Sequence, residues 1–291
     1  MNKRQFVIVA DSACDMPASY YQENGVELVK LGFMLNDVNY EGEDGTAMSE
    51  TEFYKLLREG SMPTTYQVTA EVAKPHIEKY LQQGMDVLIL AFSSALSGTA
   101  NSFVMAAREL SEMYPDRKIR VVDTLCASMG EGLFLDYLIK KANEGVTIED
   151  AVEYAEGLKL NIVHFFTVDN LFHLKRGGRV STATAVVGSV LQIKPIMHVD
   201  DEGRLVAIGK AMGRKKSLTA IVDSLLATAE LGEDDPIFIS HGDCIDDVEW
   251  VKNLIWTRKP DVKIEVNYIG AVIGSHAGAG TVAIFAKGQK R

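Results

Sequence analysis

Three short stretches carry the side chains best suited to chemistry. Ala91 to Ser102 reads AFSSALSGTANS and crowds Ser93, Ser94, Ser97, Thr99 and Ser102 around Gly98, just after the apolar run Asp86-Val87-Leu88-Ile89-Leu90. Small hydroxyls and a glycine where a strand gives way to a helix suit an anion cradle, because free backbone N–H groups and the positive helix end point there. Tight turns and N-caps use the same residues for structure alone. Pro63-Thr64-Thr65-Tyr66-Gln67 reads as a loop dense in hydrogen-bonding groups between two helices, and loops on a rigid scaffold often carry function. Gly274-Ser275-His276-Ala277-Gly278-Ala279-Gly280 is the most glycine-dense stretch and holds a histidine. Read as a loop, it lacks the lysine and spacing of a P-loop and the following helix of a dinucleotide fingerprint.

Two enzyme-like or ligand-like readings stay open at this level. Ser94 or Ser97 with His276 and Asp123 would supply a serine hydrolase triad for acyl esters, although no G-x-S-x-G elbow is present. Lys175-Arg176-Gly177-Gly178-Arg179 and Arg214-Lys215-Lys216, joined to Gly274–Gly280, would instead suit a phosphate or nucleotide. The histidines lack metal-ligand spacing, so no metal is expected.

The elements that must position these groups alternate. Strands are expected at Phe6–Ala10, Val26–Leu35, Val87–Phe92 and Ile119–Asp123, separated by helices ending near Gly60, Gln83, Tyr114 and Asn143. This βαβ rhythm implies a largely parallel sheet. Asp11-Ser12, Asp123-Thr124 and Ser128 then fall just past carboxyl ends of strands, the usual ligand edge of such a sheet. Ser49 with Glu52 has capping-box spacing, and Thr147 starts a further helix. Beyond Lys159 the texture changes. Ile193–Val199 and Leu205–Lys210 flank the turn Asp200-Asp201-Glu202-Gly203 as a hairpin, with further strands at Ile237–Ser240, Val262–Tyr268 and Thr281–Ala286. The expected fold is α/β, with an N-terminal domain over 1–159 built on a parallel sheet and a C-terminal α/β domain over 160–291 built on a mixed sheet.

Composition narrows the function. Forty acidic against thirty basic residues give a formal charge of −10 across 291 residues, which disfavours nucleic acid as a partner. Three distant cysteines, Cys14, Cys126 and Cys244, form no C-x-x-C pair and suit a reducing compartment. Asp11 interrupts the first apolar run too early for a signal peptide, and no uninterrupted apolar stretch approaches a membrane span. A cytoplasmic protein is expected.

Taken together, the segments ADSACDMP at 10–17, PTTYQ at 63–67, FSSALSGT at 92–99, VDTLCASMGEG at 122–132, LKRGGRVS at 174–181, KPI at 194–196 and GAVIGSHAGAG at 270–280 resemble the DegV family of bacterial fatty-acid-binding proteins, almost end to end. The resemblance implies two α/β domains, a long-chain fatty acid buried as ligand, no cofactor and no catalytic residue of the protein's own. It also implies a partner, a separate ATP-dependent fatty acid kinase that converts the presented carboxylate to acyl phosphate for phospholipid synthesis. Carried over by position, it places carboxylate-binding groups at Thr65, Ser97, Gly98 and His276, head-group neighbours at Tyr66, Gln67 and Ser128, and kinase-facing cations at Arg176, Arg179 and Arg214. This chain departs from the family pattern at Tyr66, Val68, Ala271 and Ala279. A bulky phenol next to Thr65 would narrow the head-group site or add a hydroxyl to it.

The energetics of such a ligand are uneven. Burying about fifteen methylenes at about 0.8 kcal/mol each gives roughly 12 kcal/mol before ordering and association costs. Each hydrogen bond to a charged carboxylate adds about 1.5 to 3 kcal/mol. The tail would supply most affinity and the polar groups would fix orientation.

Overall fold

The computed structural model describes residues 4–42, 45–180 and 192–291; Ser181, which ends the LKRGGRVS segment, lies outside them. Four parallel strands form one sheet in the order β2 (Val26–Val29), β1 (Phe6–Asp11), β6 (Asp86–Ala91) and β7 (Ile119–Asp123). All six β1 residues are buried, as are the last five of β6, so these strands read as unbroken apolar runs. Helices α3 (Ala70–Leu81) and α4 (Thr99–Met113) pack together beside this sheet, with Ala73 and Ile77 in one core with Ala100, Phe103 and Ala106. Helix α5 (Met129–Asn143) is buried nearly all round and shares a second core with β1 residues Ile8 and Ala10 and with Phe238 and Phe285 farther along the chain.

The second large sheet is mixed, in the order β10 (Leu205–Met212), β9 (Ile193–Val199), β8 (Ile162–Thr167), β13 (Val282–Lys287), β11 (Ile237–His241) and β12 (Ile264–Tyr268). Only β11 and β12 run parallel; the other pairings are antiparallel. Helix α6 (Ile148–Leu158) precedes β8, and α8 (Arg214–Thr228) and α9 (Ile245–Arg258) share an apolar core with the sheet through Ile221, Leu225, Val248 and Ile255. The α/β class and the parallel and mixed sheets agree with expectation.

Three local expectations are corrected. Val26–Leu35 is two strands: β2 joins the parallel sheet, whereas β3 (Gly32–Leu35) pairs antiparallel with β4 (Val38–Glu41) in a separate three-stranded sheet. The chain turns at Lys30-Leu31, where Leu31 N–H donates to Ser12 Oγ at 3.0 Å. The stretch expected as the loop Pro63–Gln67 contains the third strand of that sheet, β5 (Thr64–Tyr66), because its alternating Thr-Thr-Tyr pattern finds the open edge of β3. Ser49 does cap α2 (Glu50–Arg58) by accepting from Glu52 N–H at 3.2 Å, yet the reciprocal box forms at Thr147 and Asp150 instead.

Candidate functional site

The glycine-rich stretch expected as a loop is largely helix α10 (Ala271–Ala277), ended by Gly278 at φ 84° and ψ 165°, a conformation that only glycine adopts without strain. Its position is set by close packing: a Cβ on Gly274 would crowd the Phe53 and Tyr54 rings of α2, and Tyr54 OH donates to Ile269 O at 2.7 Å. His276 in its last turn thereby meets β5, with Nε2 2.8 Å from Thr65 Oγ1. The third component is the N-terminal turn of α4. Asp11 sets it by accepting from Phe92 N–H at 2.8 Å and from Ala13 N–H at 2.9 Å, tying the ends of β6 and β1. Ser97 Oγ then accepts from Thr99 N–H at 3.2 Å and lies 3.0 Å from Thr99 Oγ1, with Gly98 as the helix cap.

These groups surround one cavity of about 150 Å³. Thr65, Ser97, His276, Gln67 and Arg179 meet there with an apolar wall of Leu31, Phe92, Leu96, Ala127, Val272 and Ile273. Burial, and next the Arg179 and Arg176 charges, lower the His276 pKa to about 4, so the imidazole is neutral at pH 7. Its Nδ1 is buried without a partner and lies against Gly177, where a Cβ would overlap it. An unpaired buried N–H costs more than an unpaired lone pair. The tautomer with hydrogen on Nε2 is therefore favoured, and it donates to Thr65. The Thr65 hydroxyl hydrogen is left for a ligand acceptor. With the Ser97 hydroxyl it offers neutral donors to an anion, and Arg179 supplies positive charge from the wall while its Nε donates to Leu96 O at 3.1 Å.

The remaining expected residues separate from one another. Tyr66 contributes to the cavity wall, but strand alternation sends its side chain to the opposite face from Thr65, and its ring covers Gly32 and Gly42, where a Cβ would overlap it. Of the two effects expected of the phenol, it narrows the cavity as part of the wall, while its hydroxyl lies against Gly32 and Gly42. Gln67 reaches α4, donating from Nε2 to Ser102 Oγ at 3.1 Å. Ser128 turns away, donating to Asp15 Oδ2 at 2.5 Å, with its Oγ 2.8 Å from Ser240 Oγ. Arg176, on α7 (Phe172–Arg176), donates to Pro63 O at 3.1 Å and Ser275 O at 3.3 Å, bracing the approach to β5 against α10. Arg214 pairs with Asp247 at 2.8 Å and donates to Gly280 O at 2.5 Å, which relieves the cation at its helix N-terminus. The triad reading finds no support: His276 meets Thr65 rather than Ser97, and Asp123 accepts from the Ser94 and Leu125 N–H groups. Among the described residues, no group of three or more His, Cys, Asp or Glu is placed to hold a metal ion, and no helix is long and apolar enough to cross a membrane. Thr99, expected in the cradle, donates its N–H to Ser97, whereas the contact of Ser102 with Gln67 is a role that sequence reasoning did not assign; its signal was the hydroxyl-rich TANS at the start of α4.

The family model described as "Uncharacterised protein, DegV family" matches residues 5–288. The chain belongs to the DegV family. A DegV domain-containing protein of Clostridium perfringens is 41% identical over 288 residues, covering 99% of this chain and 99% of that one. A solved DegV family protein from Thermus thermophilus, described for fatty acid binding, superposes with a TM-score of 0.87 at 32% identity over 98% of this chain and 99% of that one. DegV, a fatty acid binding protein from Bacillus subtilis, superposes with a TM-score of 0.82 at 26% identity over 98% of this chain and 100% of that one. Fatty acid binding is thus a property of DegV family proteins.

Proposed function

We propose that this protein binds a long-chain fatty acid and presents its carboxylate to a separate ATP-dependent kinase in the cytoplasm. The observation that carries the reading is the meeting of Thr65, Ser97 and neutral His276 with an apolar wall in one cavity. The hydroxyls and the Gly98 N–H hold the carboxylate, and the apolar wall receives the start of the acyl chain. Neutral donors leave a carboxylate oxygen able to attack a phosphoryl group, whereas a bidentate arginine clamp would occupy both oxygens. The attacking oxygen forms the new P–O bond as the γ-phosphoryl group leaves ADP, giving acyl phosphate, with ATP supplied by the partner. The protein itself then has no catalytic residue. We place the boundary between its two α/β domains at 159/160.

Native mass spectrometry of the purified protein, followed by organic extraction, tests the binding half. A stoichiometric fatty acid is expected. An empty protein that also refuses added fatty acid would overturn the reading. The presentation half is tested by ATP-dependent acyl phosphate formation with a fatty acid kinase, where absence of turnover with loaded protein would remove it. Arg176→Glu is expected to weaken kinase docking when both proteins are compared at equal fatty acid loading, since Arg176 also braces β5 against α10; equal docking affinity in the two loaded proteins would take Arg176 out of that interface.

A further inference from the structure

We propose that Gln67 is a positioning residue: its side chain is a strut that sets the distance between the two halves of the carboxylate cradle. This rests on the head-group reading above. Thr65 belongs to β5 and Gly98 to the first turn of α4, and the described backbone pairing of β5 is to β3 alone. The packing of α3 on α4 brings the halves near each other, and side chains at the cradle itself set their register. Gln67, the first residue after β5, spans the gap: its Nε2 donates to Ser102 Oγ at 3.1 Å, and Ser102 Oγ donates to Gly98 O at 3.3 Å. Gly98 O also accepts from Ser102 N–H at 3.1 Å. The Gln67 carboxamide lies over Gly98 in the space a Cβ would take, so glycine is needed there for close approach.

The chemistry of this position follows from its setting. A carboxamide can donate to Ser102 and still lie uncharged beside an anion. Glutamate would lose the donor and set a like charge against the ligand. Ser102 is 6% exposed and does not line the cavity, so its hydroxyl acts on a ligand only through Gln67 and Gly98. That separates positioning from direct contact, since Gln67 itself lines the cavity.

The test compares hexadecanoate with hexadecanol on delipidated protein, two probes that share a tail and differ in head charge. Wild type is expected to prefer the acid. In Gln67→Ala and in Ser102→Ala the preference should fall about tenfold, the effect of one misplaced charge-assisted hydrogen bond. Alcohol affinity should fall less than acid affinity, and the double variant should be no worse than either single one. Full preference in Ser102→Ala, or additive losses, would overturn the strut and make Gln67 a direct ligand contact. A wild type without acid preference would instead overturn the head-group reading itself. Should Ser102→Ala fail to fold, Gly98→Ala serves: it should reduce the preference in the wild-type background and cost nothing further in Gln67→Ala, and an equal loss in both backgrounds would refute the strut.

Discussion

At the scale of single residues, chemistry depends on what each hydroxyl has left to give. Thr65 receives an N–H from His276, which leaves its hydroxyl hydrogen for a ligand, while Ser97 receives one from Thr99 N–H and shares a hydrogen bond with Thr99 Oγ1, which a ligand carboxylate would compete for. Thr65→Ala and Ser97→Ala should each weaken carboxylate binding by about tenfold or more, the scale of a hydrogen bond to a charged group, with little change for an uncharged analogue. Calorimetry with both ligands checks this, and equal losses for the two would remove the head-group role. Tyr66→Ser makes a contrasting case. Its ring fills the space over Gly32 and Gly42 on the far face of β5. The substitution should cost about 1 to 3 kcal/mol of stability, measured by urea unfolding, and leave acid-over-alcohol preference in place.

At the scale of elements, the connection from β1 to α5 carries an unusual load. Asp15 and Ser128 adopt φ of 52° and 54°, and Asp15 joins Ser128 and Ser240 in a buried chain of hydrogen bonds. Burial raises the Asp15 pKa to about 8, against the lowering effect of Ser128 and the Gly270 N–H and with further upward pressure from Glu41 and Asp11. The folded state therefore keeps a proton that the unfolded state releases above the usual carboxylate range. Between about pH 4 and pH 8 this group removes about 1.4 kcal/mol of stability for each unit of rising pH. Its contribution is fully present below pH 4. Asp15→Asn supplies an uncharged side chain that can still accept from Gly270 N–H, with its amide group facing Ser128 Oγ in place of the Asp15 oxygen to which Ser128 donates. Its stability relative to wild type should grow from pH 5 to pH 8, and a constant difference in melting temperature across that range would contradict the assignment.

At the scale of the whole molecule, Arg291 ties distant segments together. Its guanidinium donates to Leu125 O at 2.6 Å, Lys159 O at 2.9 Å, Ile162 O at 2.9 Å and Asp200 O at 3.2 Å, and it lies 2.9 Å from Cys126 Sγ. These atoms belong to the turn before α5, the entry to β8 and the turn between β9 and β10. Arg291→Ala leaves several carbonyls unpaired and should lower stability by about 2 to 4 kcal/mol. Scanning calorimetry should then show a clear fall in melting temperature, and an unchanged one would show that water replaces the guanidinium without cost.

Much of this arrangement is legible locally. The unbroken apolar runs at Phe6–Ala10 and Val87–Leu90, the hydroxyl-rich turn at Ser93–Thr99 and the cap at Thr147 depend on neighbours within a few residues, where sterics and hydrogen bonding act directly. Seven short segments in order sufficed for the family resemblance, and with it for naming Thr65, Ser97, Gly98 and His276 as candidates, of which Thr65, Ser97 and His276 line one cavity. Other features needed the tertiary structure. Thr64–Tyr66 is a strand because β3 offers an edge to it, and no local pattern announces such an edge. Gly274–Ala277 is helical because its glycine fits against Phe53 and Tyr54. Ser128 shares the polar character of the site residues, yet Asp15 and Ser240 capture its hydroxyl. His276 and Thr65 are 211 positions apart, and their bond exists only through packing of elements that sequence order leaves separate. The sequence alone determined which residue types were on hand and which short segments would turn, extend or coil; long-range packing decided which of those polar groups share a cavity, because burial and hydrogen-bond competition are settled between elements.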